Sequence, residues 1–474
     1  MELLPAAFLE SLRAIPGFEE QAFKDAHAAE EQVTSIRINP NKEFKIHRLV
    51  ASQDDPVGRA PRGQENTEFK IEAPVPWSQN SYYLKERPSF TFDPFFHAGC
   101  YYVQDASGMF LEQALKQTVD LSKPLRVLDL CAAPGGKSTH IQSLISPLSL
   151  LVSNEVIKSR SRILADNIIK WGCENVIVSN NDPKDFQKLP NYFDVIVIDA
   201  PCSGSGLFRK DHAAIGEWSI NNVQLCSQRQ QRILSDILPA LKKNGILIYS
   251  TCSYSKEEDE DIVDWLVNDL RLCSCELMIE NYSGIVEVEN KTKKVFSYRF
   301  FPDKVKGEGF FISVFRKTEG SEEIKMKSKY KLSTISKNEL PLLSPWVKKT
   351  DRQLLKEKNS VVAIQQGLLN DLILFLERFR VEYFGTTLGE LVRDKLVPDH
   401  ALAMSSLAAD SVVRNELNYE QSIMYLKKKE ILITTNQKGW QFVCYQGHPL
   451  GWINVLPNRI NNYYPKELRI LKDK

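Results

Sequence analysis

Val127-Leu128-Asp129-Leu130-Cys131-Ala132-Ala133-Pro134-Gly135-Gly136-Lys137-Ser138 reads as a buried strand, a tight turn of small residues and the start of a helix. Small residues let backbone N–H groups approach a ligand, and the helix N-terminus behind them favours negative groups. Gly136-Lys137-Ser138 also matches the end of a phosphate-binding P-loop. That motif needs a glycine five residues before Gly136, where this chain has Cys131. A nucleotide triphosphatase stays a rival reading, because 195–199 imitates the acidic strand that accompanies a P-loop.

The following strands favour a different ligand. Glu155 ends the apolar run 151–154, where an acidic side chain meets ribose hydroxyls in dinucleotide-binding folds. Asp182 follows the run 176–180 and is placed to reach an adenine amine. A small-residue turn with acids ending the next two strands suits an adenosine cofactor that needs no long diphosphate cradle. S-adenosylmethionine fits that description better than NAD. The candidate cofactor set is Cys131, Ala132, Ala133, Pro134, Gly135, Gly136, Lys137, Glu155, Asp182 and Asp199.

Around this segment, strands and helices alternate. Candidate strands are 125–130, 150–154, 176–179, 193–198, 245–249 and 310–315, with helices over 158–171 and 223–241. Such alternation predicts an α/β fold with a mostly parallel, Rossmann-like sheet covered by helices. The expected organisation is an N-terminal α+β module (1–100), the α/β domain (101–317), a basic connector with a helical segment (318–385) and a β-rich module (386–474). In the N-terminal module 6–14 reads as a helix and 34–39 as a strand. The connector carries Lys325, Lys327, Lys329, Lys331, Lys337, Lys348 and Lys349, read either as an RNA contact or as a solvated linker. A helix is expected over 365–381, and strands over 431–435 and 441–445.

Asp199-Ala200-Pro201-Cys202 and Ser250-Thr251-Cys252 each follow a β-branched run, so each leaves a buried strand at its carboxyl end. Functional groups of open α/β sheets gather at that edge. A carboxylate and two thiols delivered there suit covalent chemistry better than packing. Ser255-Lys256-Glu257-Glu258 is a capping-box pattern, which predicts a helix starting just after Cys252. Cys131, Cys173, Cys226 and Cys444 read as inert small hydrophobes.

These strings resemble the RNA cytosine-C5 methyltransferases, the Nol1/Nop2/Sun family. The resemblance rests on 130–138, 199–206 and 249–252, on Gln104-Asp105-Ala106-Ser107, and on Arg299-Phe300-Phe301-Pro302 followed by Gly309-Phe310-Phe311, all in the family's order over 103–316. The chain departs after Cys252, where Ser253-Tyr254-Ser255 replaces the family's usual Thr-Leu-Asn. The resemblance implies a class I S-adenosylmethionine-dependent sheet. Cys252 is then the nucleophile on cytosine C6, Asp199 the partner at N3, Cys202 the helper in product release, and Lys137 a binding residue. The layout, with a module before the catalytic domain and Arg459-Ile460-Asn461-Asn462-Tyr463-Tyr464-Pro465 in the tail, resembles bacterial members that end in a PUA-like module. Those act on a decoding-region cytosine of small-subunit (16S) rRNA. A tRNA enzyme and a non-catalytic RNA-binding assembly factor are the alternatives. Tyr82, Phe90, Tyr101 and Tyr330 are candidates for base stacking, with core packing as the competing role.

Bulk properties bound the rest. The 474 residues exceed one core, and 43% hydrophobic with 26% charged residues is ordinary globular composition. A net charge of +1 sets up no global basic field, so any RNA surface must be local. Nine cysteines show neither a disulfide framework nor a zinc-ligand spacing. No signal peptide or membrane-spanning run is apparent. The expectation is a cytoplasmic monomer that partners RNA and uses neither metal nor membrane.

Overall fold

The computed structural model describes residues 4–29, 32–44, 69–290, 294–320, 328–349 and 351–472. Five parallel strands form the middle of a ten-stranded sheet: β1 (Arg126–Asp129), β2 (Leu150–Asn154), β3 (Val176–Ser179), β4 (Phe193–Asp199) and β5 (Leu241–Thr251). Their order is β3-β2-β1-β4-β5. Helices α1 (Gly136–Leu144), α2 (Lys158–Trp171) and α3 (Ile220–Ile237) supply crossovers between them. Every residue of β2 and β3 is buried. Strands covered on both faces read as unbroken apolar runs, which is why these were visible in the sequence.

The strand order reverses between β1 and β4. Loops leaving those two strands diverge and open a crevice at the carboxyl edge. Asp199 stands opposite Ser250 across β4 and β5, so the segments carrying Cys202 and Cys252 leave the sheet side by side. Helix α4 (Glu260–Asn268) follows β5. Antiparallel strands β6 (Val286–Asn290), β7 (Val295–Phe300) and β8 (Phe310–Arg316) extend the sheet beyond β5, with the short strand Cys273–Ser274 paired to β8.

Four expectations about the flanks need correction. The N-terminal sheet contains Ile71–Pro74, Ser81–Leu84, Thr34–Ile38 and Tyr101–Val103, so a boundary between 100 and 101 severs its last strand from Thr34–Ile38. The stretch 318–385 holds strands as well as a helix. Gln353–Glu357 and Ser360–Ile364 join Thr386–Val392 and Lys395–Pro398 in a separate sheet, which a boundary at 386 divides. Its helix spans only Leu369–Arg378, because β9 (Val381–Phe384) pairs antiparallel with β3 and closes the far edge of the catalytic sheet. Residues 431–435 form no strand. Their β-branched composition finds no partner strand, and Leu432 is 84% exposed. The C-terminal sheet is built from Arg414–Glu416, Gly439–Tyr445, His448–Val455 and Ile460–Asn462.

The flanking modules pack on each other and on the catalytic domain. Ile36, Ile38, Phe95 and Tyr101 share a core with Tyr425, Leu450 and Ile453 of the C-terminal module. The N-terminal helices Ala6–Leu12 and Glu20–Ala28 instead bring Phe8, Leu9, Leu12 and Phe23 against Phe208, Tyr254 and Phe301. Of the aromatics considered for stacking, Tyr101 is fully buried and donates to Asp93 (2.5 Å), and Tyr82 and Phe90 pack on the shared core. Tyr330 is 44% exposed. Lys325 and Lys327 lie outside the described residues. No helix among the described residues is long and apolar enough to cross a membrane.

Candidate active site

The turn after β1 is built for close approach. Gly135 adopts φ +118°, a left-handed conformation open to glycine, and starts α1. Asp129, at the end of β1, is buried beneath it and accepts from the Ser138 hydroxyl (2.7 Å). Its second oxygen has no partner among the described residues. Burial pushes this carboxyl up to about 7, against the pull of Ser138, with the nearby charge of Asp199 adding to the rise. An orphaned buried oxygen at the floor of a small-residue turn is a fitting acceptor for the donors of an adenosine cofactor.

Cys131, Ala132, Ala133, Pro134, Gly136 and Lys137 line one side of a cavity of about 410 Å³, with Asp199 and Cys252 also in its wall. Lys137 Nζ pairs with Asp199 Oδ2 at 2.7 Å, and the Ser250 hydroxyl donates to Asp199 Oδ1 at 2.9 Å. Burial alone lowers the lysine's proton affinity. The adjacent Asp199, with Asp129 and Cys252 further out, reverses that and carries it above the usual value. The Lys137 ammonium therefore stays charged inside the pocket. It also sits 5.3 Å from the centroid of the Phe310 ring.

The two thiols meet behind this wall. Cys202 Sγ and Cys252 Sγ are 3.1 Å apart, and both are free cysteines. The hydrogen bond with Cys252 comes first, then burial, in pushing the Cys202 thiol well above its ordinary range. Two contacts pin the second loop: Gly206 N–H donates to the Cys252 carbonyl at 2.7 Å, and Tyr254 N–H donates to the Ser205 hydroxyl at 3.0 Å. A β-carbon on Gly206 would lie 2.6 Å from that carbonyl and 2.7 Å from the Gly309 carbonyl, so only glycine fits there.

The remaining candidates separate by position. Gly135 and Cys202 border the cavity without lining it. Glu155 is buried at the end of β2 and accepts from Ile157 N–H (2.9 Å), with Arg160 3.5 Å from its other oxygen. Asp182 is not brought to the cavity: it is half exposed, caps the short turn Pro183–Lys188 through Lys184 N–H, and faces Arg232 at 3.6 Å. Cys131 lines the pocket, and burial raises its thiol far above the ordinary range.

Several contributors were invisible to sequence reading. The capping box expected at 255–258 does not form: Ser255 makes no cap bond, Lys256–Glu258 is a tight 3₁₀ turn, and α4 starts at Glu260. Glu258 turns inward to Ser203, a residue on another strand's loop. Arg299 forks onto Glu260 with two bonds of 2.6 Å and reaches Asp259, which accepts from Thr251 Oγ1 at 2.6 Å. Arg37, from the N-terminal sheet, donates to the Gly136 carbonyl and to Thr139 Oγ1, fixing the first turn of α1. Arg299 stands in a motif read from the sequence, but its partners, like those of Arg37 and Ser203 for Glu258, lie tens of residues away, and no local pattern announces these contacts.

A five-strand parallel core ordered β3-β2-β1-β4-β5, with a small-residue turn after β1 and an acid ending β2, defines a class I S-adenosylmethionine-dependent methyltransferase. The family model described as 16S rRNA methyltransferase RsmB/F matches residues 116–316. Those for the N-terminal domain of 16S rRNA methyltransferase RsmF and for the methyltransferase RsmF PUA domain match 4–106 and 412–470. The chain belongs to this RsmB/F methyltransferase family. The ribosomal RNA small subunit methyltransferase F of Erwinia tasmaniensis is 27% identical, with 98% of this chain and 96% of that protein covered. Its namesake in Aliivibrio fischeri is also 27% identical, over 98% and 97%. Among solved structures, a methyltransferase homolog protein from Pyrococcus horikoshii is 26% identical with a TM-score of 0.50, covering 66% of this chain and 100% of its own. NSun6 from the same organism, solved with SFG, shares the fold at 19% identity and a TM-score of 0.51, over 67% and 100%.

Proposed function

We propose that the protein methylates C5 of a cytosine in small-subunit (16S) rRNA, in the decoding region, through a covalent bond between Cys252 sulfur and cytosine C6. The observation that carries this reading is the pair of sulfurs 3.1 Å apart, beside a cavity shared by Cys252, the Lys137–Asp199 pair and the cofactor turn. Cytosine C5 is too electron-poor to take a methyl group unaided. Addition of the Cys252 thiolate at C6 turns the ring into an enamine, and its C5 then attacks. S-adenosylmethionine, when bound, supplies the methyl carbon as an electrophile. Asp199, held by Lys137 and Ser250, is the partner at N3, where charge develops during the addition. Loss of the C5 proton then restores the C5–C6 double bond and expels Cys252, the step in which Cys202 assists.

The RNA assignment draws on the relatives' names and on the flanking modules. Lys427, Lys428, Lys429, Arg469 and Lys472 border a cavity of about 360 Å³ on the C-terminal module. This local cationic surface suits phosphates although the whole chain is nearly neutral. A target in structured RNA reaches Cys252 only after leaving its stack.

The decisive variants are at the thiols. Cys202→Ala should accumulate a protein–RNA adduct on a denaturing gel, and adding Cys252→Ala should remove it. An adduct that survives without Cys252 overturns the assignment of the nucleophile. Bisulfite sequencing of RNA from a deletion strain identifies the target. Loss of a modified cytosine in tRNA alone excludes the ribosomal assignment.

A further inference from the structure

Glu258 is fully buried, yet among the described residues no lysine, arginine or histidine pairs with it. Its carboxylate is met by four neutral donors. Ser203 N–H (2.8 Å) and Gln230 Nε2 (3.2 Å) donate to Oε1, and the hydroxyls of Ser203 (2.5 Å) and Ser253 (2.7 Å) donate to Oε2. Ser203 is the residue after Cys202, and Ser253 is the residue after Cys252. One side chain therefore staples the two thiol-bearing loops at matching positions. The Tyr249 hydroxyl, donating to the Glu258 carbonyl at 2.6 Å, fixes its backbone as well.

We propose that Glu258 is a positioning residue that sets the two thiols in unequal roles, holding the shared proton of the pair on Cys202 and leaving Cys252 as the nucleophile. The inference rests on the reading of Cys252 as the attacking thiol. Burial raises the Glu258 carboxyl above its usual value, and the four donors oppose that rise, as suits an ionised carboxylate, which accepts only. Neutral donors solvate that charge without cancelling it, so it acts on its surroundings at low local dielectric. The negative charge of Glu258 is among the influences that disfavour a Cys202 thiolate, after the Cys252 contact and burial. On the other side stands the Lys137 ammonium, whose charged form Cys252 helps to favour. Two of the four bonds to Glu258 come from Ser203, next to Cys202, so its charge stands on the Cys202 side of the sulfur pair, with the Lys137–Asp199 ion pair on the Cys252 side. The other charges nearby are largely spent on each other: Asp199 on Lys137, and Asp259 and Glu260 on Arg299. Cys226, on α3, is the remaining thiol that Glu258 also holds protonated, after burial.

The test uses the full-length protein without RNA or cofactor. Iodoacetamide pulses between pH 6 and 10, read by peptide mass spectrometry, give a pH midpoint for alkylation of each thiol. Midpoints report thiolate formation and are insensitive to a constant difference in access. In the wild type the Cys202 midpoint should lie above that of Cys252. Glu258→Gln keeps the shape and removes the charge, and should lower the Cys202 midpoint by about one unit, a tenfold gain in its thiolate at fixed pH. Single-turnover methyl transfer should fall at least tenfold in this variant, with KM for RNA unchanged. A folded Glu258→Gln protein that loses turnover while its Cys202 midpoint stays fixed shows a structural staple and overturns the proposal. If that variant does not fold, the wild-type midpoints decide: a Cys202 midpoint at or below that of Cys252 overturns it, and the expected order supports it. Failure of the nucleophile assignment shows separately, as an adduct that persists without Cys252.

Discussion

Asp199 is held from two sides, by the Lys137 ammonium at 2.7 Å and the Ser250 hydroxyl at 2.9 Å. Ser250 sits directly opposite it on β5, so the orientation of the carboxylate is set by strand register rather than by a flexible loop. Lys137 enters from the start of α1 and brings the cofactor turn into the same contact. Asp199→Asn keeps the shape and the Ser250 contact but leaves a buried ammonium without its anion. Methyl transfer should fall by about 10² or more, the usual weight of a proton-handling group. Stability should fall by only about 1–3 kcal/mol, as expected when one buried hydrogen-bonding partner is lost. Single-turnover transfer from labelled cofactor beside a guanidinium melt separates the two. A variant that turns over at the wild-type rate would remove Asp199 from the chemistry.

At the scale of elements, the N-terminal helix Glu20–Ala28 is a buttress for the nucleophile's loop. Phe23 packs on Tyr254 with ring centroids 5.1 Å apart, and Tyr254 stacks on Phe301 at 5.6 Å. His27, buried one turn on, is held neutral: burial takes its pKa down to about 4, with the Phe23 carbonyl opposing and Arg209 adding to the fall. A folded value below the unfolded one means stability that is present above about pH 6.5 and lost as pH falls through 4. The full contribution is on the order of 3 kcal/mol. Unfolding free energy should therefore decline between pH 6.5 and 4, and His27→Asn should flatten part of that decline in denaturant melts. Identical slopes in the two proteins would show that His27 is not the responsible group. This buttress was not legible in the sequence, where no element is read over 20–28 and nothing links that stretch to Tyr254. The parallel strands were legible because burial on both faces leaves unbroken β-branched runs such as 195–198. Helix α2 was legible to the residue, since Gly172 stops it in a left-handed cap. The Asp199–Cys202 and Thr251–Cys252 strings announced the site because strand ends deliver side chains to one edge. Arg37, Glu258 and β9 were hidden because each acts only through a partner far along the chain.

At the scale of the molecule, the terminal modules are one body with the catalytic domain. The Lys42 ammonium donates to the Met404 carbonyl, and Asn39 donates to the carbonyls of Gly99 and Trp171. On the proposed reading, RNA gripped by the C-terminal module is held beside the catalytic domain by these contacts. The proposed grip is electrostatic and local. Lys428 is committed to the carbonyls of Tyr464 and Asn462, whereas Lys429, Arg469 and Lys472 are exposed around the same cavity. A cation that neutralises a phosphate releases a counterion, so its removal shows in the salt dependence of binding as well as in affinity. Lys429→Glu combined with Arg469→Glu should weaken RNA binding and lower the slope of log Kd against log salt by about two. The rate of methyl transfer within the bound complex should stay at the wild-type value, because neither residue approaches the cavity at Cys252. Filter binding across a salt series, paired with single-turnover kinetics at saturating RNA, measures both quantities. An unchanged salt slope would place the phosphate contacts on another face of the protein.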